Sequence, residues 1–437
     1  MELTVFWFRR DLRLEDNAGL YHALSKNKNV QPLFVFDTSI LKKLGNKHDK
    51  RVDFIHKTIS KLHAELNALG LNLWVEIGEP LQVYKRLIKN NRIKSVYTNH
   101  DFEPYAIARD QSIEVFLKAN GVSFHTYKDQ CIFEKGEVVK DDGKPYTIFT
   151  PYSKKWIQKL NDFYSSSYPC KKYFANFNKE AVKQISDLKA MGFEKTDIIV
   201  DPPKIGRGLV VHYKETRDFP AVKGTSRLSM HLRFGTISIR KLVRWALPLN
   251  EQYVNELIWR DFYMMILYHF PHVEHSCFKK DYEHIKWRNN EREFEAWCKG
   301  QTGYPMVDAG MRELNTTGFM HNRVRMIVAS FLTKHLLIDY RWGEAYFAEK
   351  LNDFDLAANS GGWQWAAGCG CDAAPYFRVF NPHEQAKKFD AKFEYIKKWV
   401  PEFQELNYPL PIVDHKFARE RVLKVYKTAL DEVRGKE

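Results

Sequence analysis

The sequence is poor in cysteine, and what it has is scattered. Six Cys in 437 residues (Cys131, Cys170, Cys277, Cys298, Cys369 and Cys371) form no C-x-x-C pair, so neither a zinc site nor a disulfide framework is expected. The Cys369-x-Cys371 pair reads as small-residue packing, and no metal is expected. No run of about 18 apolar residues occurs, which argues against a membrane-spanning helix. The opening MELTVFWFRRDLRL reaches charge too early for a secretory signal, so a reduced, cytoplasmic protein is expected. No G-x-G-x-x-G follows the first apolar run, so the usual dinucleotide fingerprint is missing. There is neither an internal repeat nor a low-complexity tail.

Positive charge and aromatic rings are what the chain has in excess. A formal charge of +14 favours an anionic partner such as nucleic acid over an acidic one. Aromatics are 14% of residues, with 11 Trp, more than a plain core needs. The length is too great for one ordinary core, so two domains are expected.

Residues 1–130 alternate between short apolar runs (3–8, 30–36, 71–78, 95–100, 123–128) and helical patterns ending near Ser25 and spanning 50–69, 80–91 and 105–120. That alternation predicts a Rossmann-like parallel sheet with helices on both faces. A ligand of this domain belongs at the carboxyl ends of the strands. Residues 131–212, rich in Tyr, Lys, Ser and Asn, read as a partly helical connector. From 213 to 437 the patterns are helical, as in 238–247, 254–270, 291–300, 322–338 and 392–403, and predict an all-α domain.

The densest stretch is NDFDLAANSGGWQWAAGCGCDAAPYFRVFNP, residues 352–382. It carries Asp353 and Asp355, Asn359, a Gly361-Gly362 pair read as a hinge, Trp363 and Trp365, then Arg378 and Asn381. Gly inside a helix costs about 1 kcal/mol, and Trp is seldom placed where it packs nothing. The stretch therefore reads as chain wrapped around a large planar ligand, the plain alternative being a Trp-rich helix corner. GTSRLSMHL (224–232) offers the hydroxyls of Thr225, Ser226 and Ser229 and helix-start N–H groups to a phosphate, with Arg227 adding charge. An ordinary N-cap explains it equally well. NELIWRDFY (255–263) spaces Glu256 from Arg260, and Trp259 from Tyr263, by one helical turn. It is either a pocket wall, whose carboxylate accepts hydrogen bonds from a base while the Trp stacks on it, or a helix with one ion pair and an aromatic ridge. In TGYPMVDAGMRELNTTGFMHNRVRM (302–326), Arg323 and Arg325 fall on different helix faces, so one can reach a phosphate while the other pairs with an inner carboxylate. Trp287, Tyr340, Trp342 and Trp363 are redox-capable aromatics that pass an electron only if they lie at near contact. By default they are core.

Together with FWFRRDLRLEDNAGL (6–20) and RDFPAVKGTSRLS, these stretches closely resemble the cryptochrome/photolyase family over nearly the whole chain. They are most like its class I cyclobutane pyrimidine dimer photolyases. The resemblance implies an α/β N-terminal domain, a connector, and an all-α C-terminal domain holding FAD. It assigns Tyr213, Thr225, Ser226, Arg227, Leu228, Ser229 and Tyr253 to the FAD phosphates, ribose and ring surroundings. Asp353, Phe354 and Asp355 fall beside the isoalloxazine and adenine ends, with Arg325 pairing the first Asp. Asn359 takes the place facing flavin N5, where plant cryptochromes carry Asp and some animal ones Cys; Asn favours a repair enzyme. Glu256 and Asn322 match the groups that hydrogen-bond the lesion's bases, Trp259 and Trp365 those that stack on it, and Met326 one that contacts it. Arg217, Arg260, Arg323 and Gln385 match contacts to the DNA backbone. The implied activity is light-dependent repair of the dimer by electron transfer from excited reduced FAD, in a monomer acting on UV-damaged DNA.

The chain departs from the family in two places. The family's electron chain to the flavin is three Trp; Trp363 and Trp287 match its inner and outer members, but the middle one falls on Tyr340, with Trp342 two residues on. In EPYAIARD (103–110) the Asn-Glu pair of folate-binding relatives is missing. A second, antenna chromophore is therefore left open among a deazaflavin, a flavin, a folate and none. The rival readings are a cryptochrome-type blue-light photoreceptor, a (6-4) photolyase, which carries a His pair where this chain has only His321, and a non-catalytic DNA-binding protein.

Overall fold

Leu3–Phe8, the apolar run that opens the chain, is the middle strand (β1) of a five-stranded parallel sheet. The chain is described here from a computed structural model covering residues 2–181 and 183–435. The other strands are β2 (Val30–Asp37), β3 (Trp74–Gly78), β4 (Ile93–Asn99) and β5 (Ser123–Tyr127), in the order β3-β2-β1-β4-β5. Side chains alternate across the pleat, so Phe6, Phe8, Phe34 and Phe36 enter one core while Val5, Trp7, Leu33 and Val35 enter the other. A strand buried on both faces must be apolar throughout, which is why β1 reads as an unbroken run. Helices α1 (Ala18–Lys26), α2 (Lys50–Asn67), α3 (Pro80–Asn90) and α4 (Pro104–Ala119) connect the strands, as the alternation predicts.

The strand order reverses between β1 and β4, the place where such sheets hold ligands. Here their carboxyl ends carry a polar network: Arg9 spans both Asp110 oxygens at 2.6 Å, and Arg10 reaches Asp101 at 3.2 Å and Glu103 at 3.1 Å.

Two compact units emerge, and neither is continuous in sequence. The first comprises Met1–Glu137, Trp156–Lys204 and Arg227–Pro248, the second Val138–Lys155, Ile205–Ser226 and Leu249–Glu437. The stretch read as a connector, 131–212, is thus divided between them. Helix α5 (Ile239–Ala246) has the same helical pattern as its successors, yet it packs into the first unit through Arg240. That buried guanidinium meets Asp16 at 2.9 Å and Asp129 at 2.7 Å. Just upstream, Phe234 packs on Phe54 at 5.3 Å.

The second unit is helical: α6 (Glu251–His269), α7 (Glu291–Lys299), α8 (Pro305–Thr317), α9 (Asn322–Ser330), α10 (Tyr340–Lys350), α11 (Leu356–Ala367), α12 (Pro382–Phe389) and α13 (His415–Arg434) among others. Its main core gathers Trp297, Val324, Val328, Phe331, Phe347 and Trp363. The Gly361-Gly362 pair, read as a hinge, lies inside α11 with ordinary helical backbone. Gly361 serves close approach instead, since a Cβ there would stand 2.3 Å from the Tyr263 ring of α6. All six cysteines are free thiols. Among the described residues no helix is long and apolar enough to cross a membrane, and no cluster of His, Cys, Asp and Glu has a metal-holding arrangement.

Candidate active site

Helix α6 starts at an ordinary N-cap, the Asn250 side chain accepting from the Tyr253 N–H at 3.1 Å. Farther along, the Glu256 Oε1 accepts from the Arg217 guanidinium and, at 2.9 Å, from the Gln252 amide one turn back. Both bonds end on the same oxygen, and Oε2 has no partner among the described residues. Burial raises the Glu256 pKa, while Arg217 pulls the other way. Trp259 lies flat against Phe149, with ring centroids 3.7 Å apart and planes 4° from parallel, and meets Phe262 edge-on at 5.6 Å. The Phe149 N–H donates to Asp372 Oδ2 at 3.0 Å, which fixes the backbone behind the stack. The indole is therefore clamped before any ligand arrives. Arg260 is half-buried.

Helix α9 begins with His321 as N-cap, its Nδ1 accepting from the Arg323 N–H at 3.1 Å. Its two arginines diverge, as their spacing predicts. Arg323 donates to Asp218 at 2.8 Å and lies 4.3 Å over the Phe389 ring, whereas Arg325 donates to Asp353 at 2.8 and 3.1 Å and to the Met320 carbonyl. Asn322 is exposed, and its amide stands 4.0 Å from the Met326 Sδ one turn on.

Asp355 caps α11 by accepting from the Ala358 N–H at 3.2 Å. The Asn359 amide donates to the Glu344 carbonyl at 3.0 Å. The Glu344 carboxyl itself is pushed up to about 7 by burial, against a hydrogen bond from Ser360. Ala358 and Gly362, one turn apart, are both exposed, and a Cβ at Gly362 would meet nothing within 4 Å. Trp363 is buried, and its Nε1 has no partner among the described residues. Trp365 is half-buried, 6.5 Å from Phe380. Phe354 packs against the main core, and Gln385 lies half-buried on α12.

The family models match on both sides of this geometry: one described as DNA photolyase covers residues 4–171, and the FAD binding domain of DNA photolyase covers residues 253–407. The chain belongs to the DNA photolyase family. It is 35% identical to the deoxyribodipyrimidine photo-lyase of Escherichia coli K12, with 98% of this chain and 99% of that one covered. Its fold is similar to the bacterial class III photolyase of Agrobacterium tumefaciens, at a TM-score of 0.87, 32% identity and 98% coverage of both chains. It is also similar to the archaeal photolyase of Sulfolobus tokodaii, whose crystal structure is described as holding two FAD molecules, with the implication of a novel light-harvesting cofactor. That match has a TM-score of 0.82 and 35% identity, covering 98% of this chain and 100% of that one. The α/β unit and the helical FAD-binding unit agree with the fold expected from the sequence.

Helix α11 offers an open strip on one side. The strip of Ala358 and Gly362 leaves room beside the helix, with Asp355 and Asn359 flanking it. Asp353 is neutralised by Arg325 at 2.8 Å. The Tyr213 ring meets Tyr253 edge-on at 5.1 Å, and the Tyr253 hydroxyl donates to Ser226 at 3.2 Å. Thr225 and Ser226 belong to the second unit; Arg227, in left-handed backbone at φ 52°, Leu228 and Ser229 belong to the first. The helix that starts at Ser229 has no side-chain cap, so the hydroxyls here are not spent on capping.

Among the described residues Trp287, Tyr340, Trp342 and Trp363 share no ring contact with one another. Trp363 meets Phe347 at 4.9 Å and Trp297 at 6.0 Å. Trp342 meets Phe294 at 5.1 Å and Trp287 meets Tyr426 at 6.0 Å. Among the described residues the Tyr340 ring pairs with no other aromatic; its hydroxyl sits 3.8 Å from the Cys277 Sγ.

Sequence reasoning passed over Phe149, Asp372, Gln252 and Glu344. Gln252 had a signal, one helical turn before Glu256; a lone Phe in an aperiodic stretch had none.

Proposed function

We propose that this photolyase is a deoxyribodipyrimidine photo-lyase: a light-driven, FAD-dependent enzyme that splits cyclobutane pyrimidine dimers in UV-damaged DNA, acting as a cytoplasmic monomer. The observation that carries the reading is the α6 wall, where Glu256 keeps one oxygen unengaged next to an indole already clamped by Phe149. In this reading Glu256 and Asn322 hydrogen-bond the bases, Trp259 and Trp365 stack on them, and Met326 contacts them. Burial raises the Glu256 pKa and the Arg217 guanidinium opposes it, and the free oxygen faces the bases as a fixed electrostatic partner.

A dimer stacks poorly, so swinging it out of the duplex costs less than extruding an intact base, and the pocket gains selectivity. Arg217, Arg260, Arg323 and Gln385 serve the flanking phosphates. Because Arg217 and Arg323 already pair with Glu256 and Asp218, a phosphate must compete for them, and binding is salt-sensitive. FAD would be held by Tyr213, Thr225–Ser229, Tyr253, Arg325 and Asp353–Asp355, with Asn359 beside its ring. When bound, reduced and excited by blue light, it supplies one electron to the dimer and recovers it after the ring opens.

The test is a thymine-dimer oligonucleotide mixed with the reduced, flavin-loaded protein, with thymine absorbance followed under blue light and in the dark. Recovery only in the light supports the reading, with Glu256→Ala and Trp259→Ala slowing it. No recovery, with flavin bound and reduced, overturns it.

A further inference from the structure

We propose that the electron that reduces the resting flavin travels Tyr346 to Trp297 to Trp363, and that Tyr340 does not carry it. The inference rests on the FAD-binding reading above, with the flavin beside α11, but not on dimer repair.

Three observations remove Tyr340. Its ring is in contact with neither Trp363 nor Trp287 among the described residues, whereas Trp297 is in ring contact with Trp363. The Arg341 guanidinium lies 4.8 Å over it, so a cation already faces the ring that would have to become positive. An oxidised phenol must also shed its proton. This hydroxyl is buried 3.8 Å from the Cys277 thiol, and a neutral thiol is a poor proton acceptor.

Trp297 has the opposite surroundings. It is fully buried and 6.0 Å from Trp363, with Phe347 against both rings at 6.2 and 4.9 Å. Its Nε1–H donates to the Val328 carbonyl at 3.1 Å, which steadies positive charge on the indole. On its far side stands Tyr346 at 5.8 Å, half-buried, whose hydroxyl donates to the Asn315 Oδ1 at 2.6 Å. Asn315 is exposed, so water reaches the end of that hydrogen bond. Lys350 lies 5.5 Å from the Tyr346 ring, but it is a third exposed and paired with Glu349 at 2.7 Å, which screens its charge.

The steps balance as single electrons. Trp363 gives one electron to the photoexcited, oxidised flavin, Trp297 refills Trp363, and Tyr346 refills Trp297. Tyr346 then releases its phenolic proton to water beside Asn315, and an external thiol reductant refills Tyr346. Neither indole has a basic partner, so the missing electron is trapped only at the tyrosine, where proton loss blocks its return.

The experiment is flash photolysis of the flavin-loaded, oxidised protein without DNA, reading the tryptophan and tyrosine radical signatures and the photoreduction yield with added thiol. Wild type is expected to end on a tyrosyl radical, and Tyr340→Phe to leave signal and yield unchanged. Tyr346→Phe, which removes one hydroxyl and spares the core, is expected to lose the tyrosyl signature and leave a short-lived tryptophan radical. Trp297→Phe is expected to lose most of the yield. Persistence of the tyrosyl signal in Tyr346→Phe, or its loss in Tyr340→Phe, overturns the route. Repair by chemically reduced enzyme is measured in parallel. It bypasses the relay, so its failure would count against the function proposed above and not against the route.

Discussion

Substituting Gly343 with alanine sets two known effects against each other, and the structure decides the sign. Gly343 lies inside α10, where alanine is favoured over glycine by about 1 kcal/mol. With slack beside it, Gly343→Ala would stabilise the protein. There is none: the new Cβ would stand 2.1 Å from Cη2 and 2.5 Å from Cζ3 of Trp363, and 2.6 Å from a Leu332 methyl. Carbons rest at about 3.5–4.0 Å, so the indole must retreat by roughly 1.5 Å. Trp363 is only 2% exposed and is backed by Phe347 and Trp297, so it has nowhere to go without moving α11. Overpacking of this kind costs about 1–3 kcal/mol. Three contacts far below van der Waals distance place it at the upper end, leaving a net loss of about 2 kcal/mol after the helical gain. Urea unfolding followed by Trp fluorescence measures the loss, and flavin retained per protein measures the effect on the α11 face. A Gly343→Ala protein as stable as wild type or more so, with full flavin, would refute the close packing of Trp363 on α10.

Arg217→Ala strips Glu256 of its charged partner, and loss of about 1.5–3 kcal/mol of dimer-DNA affinity, roughly ten- to a hundred-fold, is expected at fixed salt; an unchanged Kd in a gel-shift titration would remove Arg217 from the site. Glu344, pushed up by burial to about 7 in the folded protein from an ordinary 4.5, binds its proton more tightly folded than unfolded. Its stabilising contribution is therefore complete below about pH 4.5 and fades as pH rises towards 7, by up to ~1.4 kcal/mol per pH unit. Glu344→Gln should flatten stability between pH 5 and 7, and an identical pH profile in the variant would show the carboxyl to be ordinary.

The sheet was legible first in β1 and β2, which are buried along their whole length and read as apolar runs; the outer strands β3 and β5 are partly exposed and were read from their place in the alternation. The helices were legible from their period, but the period does not say which core a helix enters. Ile239–Ala246 reads like its successors and joins the other unit because Arg240 finds Asp16 and Asp129 there. The Gly361-Gly362 pair was misread for a similar reason. Glycine suits a bend and suits a close approach, and only the Tyr263 ring on the facing helix distinguishes them. In the candidate site, Glu256, Trp259 and Arg325 declared themselves by spacing and resemblance. Phe149 did not, because a stacking partner more than a hundred residues away leaves no periodic trace. Trp297 sat unnoticed in an amphipathic helix, where a tryptophan looks like any other core residue.

The discontinuity of the first unit bears on how the chain is made. Its sheet is complete once Tyr127 has emerged from the ribosome, yet Arg240, which neutralises Asp16 and shares Asp129 with Arg13, follows more than a hundred residues later. At ordinary elongation speeds that delay is roughly 5–20 s. During it Asp129 already has Arg13, but Asp16 still lacks its charged partner, and an uncompensated buried charge costs about 3–5 kcal/mol. The unit cannot close early and cannot be cut free at residue 212. Its last charged partner arrives only after the chain has given Val138–Lys155 and Ile205–Ser226 to the second unit and returned.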